Sequence, residues 1–530
     1  MAKRLHGDPM RLSKSRLLSY LQCPKRLWLE INRRELAIIT PAMQARFDTG
    51  HRVGEIARKL YDDGHGVYIE HTHNLSAALK QTQALLSTSS GISPLLGGQA
   101  SFALEGGGEA PLPLPRAGEG WGEGPSGVTV IFEATFEHEG VLVRTDILER
   151  TPILTRLIEV KAATEVKEEY ATDCAIQTWV LTGAGVRPDA VVLAHVNNKF
   201  VYRGGGDYRG LLTENSIGDA VTNLARQVPE WSREAKQVLA GNEPTTPIGT
   251  RCRKPYDCSF IDYCWPKTEY PLTNLPRLGK KLDDYVARGY RDVRDVPESE
   301  VSGEDARRVW NATIANRVDV RPELREELRG IPHPRYFLDF ETIAFAVPIW
   351  RGTRPYQAIP YQWSVHIEAS ASSIAHFEYL DLNGDLPVEG VARSLIERLG
   401  TEGPILSYGN YELQCIKTLA TLVPELADRL HALEPRLVDL FPIIKRSYYH
   451  PAMHGSWSIK AVLPTVVPET RYEDLGEVQE GEAAQRAYLE AINPKTSRLR
   501  KSEIEQSLRQ YCAFDTQAIL RMVQVLEARS

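Results

Sequence analysis

Two apolar runs, each interrupted by carboxylates, constrain this chain more than any other feature. Leu157 to Ala162 holds Glu159-Val160-Lys161, and Tyr336 to Glu341 holds Asp339-Phe340-Glu341. Both read as strands. Side chains on a strand alternate, so Glu159 and Lys161 share one face, as do Asp339 and Glu341. Carboxylates gathered on one face are candidate ligands for a hard cation, so each run is a candidate site as well as a strand.

A chain of 530 residues is too long for one hydrophobic core, and at roughly 150 residues per domain it divides into three or four units, two at the least. Val128 to Phe136, Val141 to Leu148 and Leu157 to Ala162 predict a three-stranded meander. Glu165 to Thr182 has helical spacing, and Ala190 to Tyr202 returns to strand character, an α/β order. This first domain covers residues 1–266. Within it, the Gly/Pro-rich stretch 91–127 cannot bury enough surface to order itself and reads as a floppy insertion. Residues 267–333 are charged and helical in pattern, a solvated connector. A second α/β domain, 334–530, continues with strands at Tyr361 to Glu368 and Ala375 to Leu382 and closes with a helix over Ser502 to Glu527. There is no internal repeat.

Composition excludes whole classes. With 42% hydrophobic and 25% charged residues the chain is an ordinary globular protein, neither disordered, collagenous nor a disulfide scaffold. Lys plus Arg number 63 against 69 Asp plus Glu, a formal charge of -6, so any nucleic-acid surface has to be a local groove. No segment reaches the about 18 consecutive apolar residues of a membrane span, and the basic start Met1-Ala2-Lys3-Arg4 lacks an apolar stretch behind it. The expectation is a cytoplasmic protein with no membrane partner.

Asp146 falls on the strand before Glu159, across a turn at Thr151-Pro152. Two converging carboxylates suit a hard divalent cation such as Mg2+ or Mn2+, and a neighbouring lysine can position the attacking water beside a phosphate. Asp173 and Gln177, i and i+4 on the following helix, present a polar face to the strand ends. Spacing alone fits a surface ion pair as well. In the second domain Tyr511 and Asp515, again i and i+4, add to Asp339 and Glu341 the makings of a two-metal constellation, with a tyrosine to orient water. Taken singly, the two motifs are also an acid pair on an edge strand and a pair on a helix surface.

Seven cysteines is an odd number, which disfavours a disulfide framework. Cys252, Cys258 and Cys264 stand six apart, and Cys23 is the natural fourth ligand. One plus three thiolates suits an iron-sulfur cluster, whereas zinc sites usually include a tight CxxC pair; both remain open on spacing. Cys174, Cys415 and Cys512 read as packing thiols on helices. His450 and His454 read as loop histidines, Lys460 as a phosphate contact, and Trp28, Tyr256, Trp265 and Trp457 as core or base-stacking residues.

The segment Ser13 to Leu29, with Cys23-Pro24 inside it, together with Gly50 to Ala57, Thr145-Asp146, Glu159-Val160-Lys161, Gln177 and the trailing cysteines, resembles the RecB-type PD-(D/E)XK nucleases that carry an iron-sulfur cluster, including CRISPR-associated ones. The resemblance spans most of residues 10–266. It implies that Asp146 and Glu159 bind metal, that Lys161 is catalytic and that Gln177 belongs to the helix motif. It also implies that Cys23, Cys252, Cys258 and Cys264 hold a [4Fe-4S] cluster. Gly54 stands where that family often has a metal-binding histidine; His51 lies nearly a turn away, and Glu55 and Glu133 are the substitutes at hand.

The DxE of Asp339 and Glu341 followed by the YxxxD of Tyr511 and Asp515 resembles the DEDD exonucleases of the RNase H-like fold, in their tyrosine subtype. Their middle motif ends in Asp; here Tyr408-Gly409-Asn410-Tyr411-Glu412 offers Glu412, with Asp439 in reserve. The whole layout, including Tyr448 to Pro464, is similar to the bacterial family known as domain of unknown function 2779. The combined resemblance implies an α/β protein of two nuclease domains, a PD-(D/E)XK restriction-endonuclease-like core followed by an RNase H-like fold, with a helical connector between them. It would hydrolyse DNA phosphodiesters, as an exonuclease on single-stranded or end-containing DNA, with Mg2+ or Mn2+ at both sites. The alternatives are an RNA 3′→5′ exonuclease and a nucleic-acid-binding protein with one active head.

Overall fold

The computed structural model describes residues 11–70, 74–88, 129–370 and 372–528; the expected insertion 91–127 lies outside them. The chain forms a mixed α/β structure that divides into two compact units. The first comprises 1–246, 251–263 and 346–355, the second 247–250, 264–345 and 356–530.

The first unit contains strands β1 (Leu12–Ser13), β2 (Val67–Tyr68), β3 (Thr129–His138), β4 (Val141–Arg150), β5 (Thr155–Lys161), β6 (Ala190–Val196) and β7 (Leu212–Ser216). They form one sheet in the order β2-β3-β4-β5-β6-β7, with β1 added beside β4. The β3–β4 hairpin turns on Glu139 and Gly140, at φ 46° and 73°, the two-residue turn whose twist matches that of the strands. β5 runs parallel to β6 across the helix Glu168–Gly183. On one side Ile131, Val143, Leu148 and Leu157 pack with Cys174, Ile176 and Val180 of that helix. On the other, Ile147, Ile158 and Val192 pack with Val53 and Ile56 of the helix Pro41–Tyr61. The strand expected over 190–202 stops at Val196. Asn197 ends it by accepting the Lys199 N–H on its own side chain (3.0 Å) and the Phe200 N–H on its carbonyl (3.0 Å), a local turn that competes with the ladder.

The second unit contains β8 (Asp319–Val320), β9 (Arg335–Ile343), β10 (Ile359–Ser370), β11 (Ser373–Leu380), β12 (Ile405–Ser407), β13 (Leu437–Asp439) and β14 (Tyr448–Tyr449). Its main sheet runs β11-β10-β9-β12-β13, and β14 pairs with β8 apart from it. β10 is antiparallel to β9 and β11, while β12 is parallel to β9 and β13. β9 is therefore central, and Phe337, Leu338 and Phe340 are buried. The helix Arg498–Ala528 lies on this sheet through a stripe of Ile504, Leu508, Tyr511, Cys512, Ile519 and Leu526, the i, i+3, i+4 pattern of an amphipathic helix. Residues 267–333 form short helices, among them Lys281–Ala287, Glu304–Ala315 and Glu323–Arg329. No helix among the described residues is long and apolar enough to cross a membrane.

Candidate functional site

In the second unit alternation along β9 aims Asp339 and Glu341 at the face covered by the helix Arg498–Ala528, and Asp515 lies on that helix's buried stripe. One carboxylate oxygen from each of the three falls within 4.8 Å of the others. Burial pushes Asp339 and Glu341 well above the usual carboxylate range, and the charge of Asp515 adds to it. Asp515 itself is raised to about 6 by burial, against hydrogen bonds from Tyr472 and Tyr511 and the charge of Lys460. The Tyr472 hydroxyl donates to Asp515 Oδ1 at 2.5 Å. Lys460 Nζ sits 5.0 Å from the Tyr472 ring centre and 5.8 Å from that of Tyr511. The Cys512 thiol faces Asp339.

Glu412, on the helix Tyr411–Leu422, is buried and hydrogen-bonded to Asp339, and burial raises it to about 7. Two carboxyls can share a hydrogen bond only if one keeps a proton. Its Oε2 has no hydrogen-bond partner. Asp439 caps the next helix, accepting from Phe441 N–H (2.9 Å) and Gly409 N–H (2.8 Å), and its charge adds to the rise of Glu412. Four carboxyls, Glu341 and Glu412 buried and Asp339 and Asp515 half-buried, thus meet with Lys460 as the cation that lowers two of them. Hard oxygen donors with so little counter-charge fit a divalent cation.

The acid set of the first unit is compensated instead. The β4–β5 hairpin sets Leu148 opposite Leu157, which carries Asp146 and Glu159 to neighbouring places beyond the pair; Val160 N–H donates to Asp146 Oδ2 at 2.7 Å. Lys161 Nζ bridges Glu159 (2.6 Å) and Asp173 (2.6 Å). Lys14 Nζ bridges the same two acids, at 3.1 Å and 2.9 Å. Gln177 Nε2 donates to Glu159 at 2.6 Å and to Asp173 at 3.3 Å. Burial, with the charges of Asp146 and Asp173, raises Glu159 to about 7. Burial also disfavours the Asp173 carboxylate, but the two lysines outweigh it and hold Asp173 below its usual range.

Glu133 sits on β3 with φ 58°, opposite Asp146 between the pairs Phe132–Ile147 and Ala134–Thr145, and Arg58 approaches it at 3.7 Å. The charges of Lys14 and Glu159 both reach Glu133. Gly54 faces open space, with Arg58 Nη1 at 4.0 Å its nearest neighbour. His51 and Glu55 are exposed, and Glu55 pairs with Arg52 at 3.3 Å.

Cys23, Cys252 and Cys258 lie in the first unit. Cys258 N–H donates to the Cys252 carbonyl at 2.8 Å. Burial raises the Cys258 thiol, and charge on Cys252 and Cys23 adds to it, so the three sulfurs are within electrostatic reach. Cys264 closes the short helix Ile261–Cys264 where the chain passes into the second unit. No disulfide joins the cysteines among the described residues, and Cys174, Cys415 and Cys512 are buried.

Sequence reasoning missed Lys14 and Tyr472. A lysine in the first turn of a helix opposes the helix dipole, and that was the available signal for Lys14, first residue of the helix Lys14–Gln22. Tyr472 carries no such mark. Of the other singled-out residues, Trp28 Nε1 donates to the Gly241 carbonyl (3.0 Å), Trp457 is buried, and His454 lies 3.2 Å from Asn274 Nδ2.

A search among curated proteins found no match. Residues 336–458, which include Asp339, Glu341 and Glu412 and end before Tyr511 and Asp515, match the family described as Domain of unknown function (DUF2779).

Proposed function

We propose that this chain is a divalent-metal-dependent nuclease that degrades DNA from single-stranded or frayed ends, with the main cutting site in the second unit. One observation carries the reading: Asp339, Glu341 and Asp515 converge within 4.8 Å around too little positive charge. Mg2+ or Mn2+ held by these three residues supplies a Lewis acid for a phosphoryl oxygen and a more acidic water. The chain's own groups do the rest. Tyr511, hydrogen-bonded to Asp515, orients the water; Tyr472 fixes the Asp515 carboxylate; Lys460 faces the non-bridging phosphate oxygens; Glu412 holds Asp339 from behind. The resemblance to tyrosine-type DEDD exonucleases supports a 3′→5′ direction, and a central first strand bearing the DxE supports an RNase H-like reading of the sheet.

The first unit supports a PD-(D/E)XK reading through Asp146, Glu159, Lys161 and Gln177, and Cys23, Cys252, Cys258 and Cys264 are soft donors suited to a [4Fe-4S] cluster. Glu159 already accepts from Lys14, Lys161 and Gln177, so a cation at Asp146 and Glu159 has to compete with Lys14. That competition favours a second reading, in which the first unit grips the strand and the second cleaves it.

The test is degradation of end-labelled single-stranded DNA, and of RNA of the same sequence, with Mg2+ or Mn2+. Asp339→Ala is expected to lower the rate about a thousandfold, the cost of losing a metal ligand at the reacting centre. A further drop with Asp146→Ala indicates two cutting heads; no drop indicates the gripping role. Full activity in the double variant would sink the assignment, and preference for RNA would move the substrate to the other polymer.

A further inference from the structure

The charged connector holds a concave feature that the nuclease chemistry leaves unused. The helix Glu304–Ala315, a left-handed turn at Asn316 (φ 44°) and β8 enclose an open cavity of about 1110 Å3. Four arginines line it, Arg307, Arg308, Arg317 and Arg321, against the acids Glu304 and Asp319, in a chain whose formal charge is -6. Two of the four are spoken for: Arg308 pairs with Asp319 and Arg321 with Glu304 (3.1 Å). The other two are available. Arg307 is exposed and gives only its Nε to the Val301 carbonyl (3.3 Å), and exposed Arg317 has no side-chain partner among the described residues.

Apolar surface lies between these charges. Trp310 and Ile314 follow Arg307 at i+3 and i+7 on the same helical stripe, and Ile314 and Val320 are 46% and 40% exposed. Free cations flanking an uncovered apolar surface match a nucleotide chain, whose phosphates and bases alternate in the same way. The volume exceeds what one phosphate fills. The walls are also bonded to the segment that leads to the carboxylates: β8 pairs with Tyr448–Tyr449, Arg308 donates to the Lys445 carbonyl, and Trp457, three residues before Lys460, donates to the Tyr448 carbonyl at 3.0 Å.

We propose that this cavity is a binding site for single-stranded nucleic acid, in which Arg307 and Arg317 each take a backbone phosphate and the Trp310–Ile314 surface takes a base. The connector is then part of the substrate path and not a passive spacer. The inference rests on the nuclease reading above.

The test measures binding of a fluorescein-labelled oligothymidylate by anisotropy over a range of salt concentrations. It uses the full chain carrying Asp146→Ala and Asp339→Ala to prevent cleavage. Adding Arg307→Glu and Arg317→Glu is expected to weaken binding about tenfold or more and to reduce the slope of log affinity against log salt by about 1.4, two single-strand phosphate contacts. Arg329→Glu, an exposed arginine outside the cavity, is the matched control and should change neither. Circular dichroism melts check that the variants fold.

Unchanged affinity and slope in the double-arginine variant would overturn the site, as would an equal loss with Arg329→Glu, which would mean diffuse attraction. Displacement of the oligonucleotide by polyglutamate of equal charge, with equal efficiency, would overturn the nucleic-acid occupant. Absence of any binding by the parent chain would count against the nuclease reading itself, and so differs from failure of the cavity alone.

Discussion

Lys14 and Asp515 show how single groups distribute charge in this molecule. Lys14 is one of two ammonium groups between Glu159 and Asp173, and removing one partner from a buried ion set leaves uncompensated charge behind. Lys14→Gln is expected to destabilise the metal-free first unit by about 3 kcal/mol, read as an earlier transition in urea, with Mg2+ restoring part of the loss by supplying the missing charge. Asp515 behaves in the opposite sense. Its carboxyl is raised to about 6 in the fold, above the roughly 3.9 of an unfolded aspartate. The folded state therefore binds the extra proton between about pH 4 and 6, and stability falls as pH rises through that window. Metal-free Asp515→Asn should be more stable than the parent by about 3 kcal/mol at pH 8 and equal to it near pH 4. With Mg2+ present at pH 8 the order should reverse, because the parent alone offers the charged ligand. Thermal melts at the two pH values, with and without Mg2+, check all three statements.

At the scale of elements, the segment Pro451–Ser458 makes the turn that delivers Lys460. Gly455 has φ 78°, and a Cβ there would come 1.8 Å from the Asn274 carbonyl oxygen. Both the conformation and the approach require glycine. Gly455→Ala is expected to cost about 3 kcal/mol or more in urea, whereas Gly476→Ala, with nothing within 4 Å, should be close to neutral. The helix Arg498–Ala528 illustrates what an element's own pattern reveals. Tyr511 and Asp515 repeat the spacing of its apolar stripe, so YxxxD reads from the sequence as an inward-facing acid, which is where it lies. Glu133 shows the converse. Its backbone takes a left-handed φ of 58° opposite Asp146, and no local pattern of side chains announces a positive φ at a non-glycine strand residue.

For the whole molecule, cofactor content is the broadest open measurement. Anaerobically purified protein should show the broad visible absorbance of an iron-sulfur cluster, with about four irons per chain. Cys258→Ser should lose the absorbance and lower the melting temperature of the first unit, because cluster binding is linked to folding; protein of full stability without iron would refute the cluster. The sequence by itself determined the strands and the spacing of the acids upon them. Alternation along Leu157–Ala162 and Tyr336–Glu341, and the i, i+4 pairs Asp173–Gln177 and Tyr511–Asp515, depend on backbone geometry within a few residues. Only the tertiary structure decided which charges meet. Lys14 reaches Glu159 across 145 positions, Tyr472 reaches Asp515 across 43, and residues 346–355 belong to the first unit although the strands on either side of them belong to the second. Such partners are chosen by packing and by the cost of leaving a buried charge alone, and neither leaves a periodic trace along the chain.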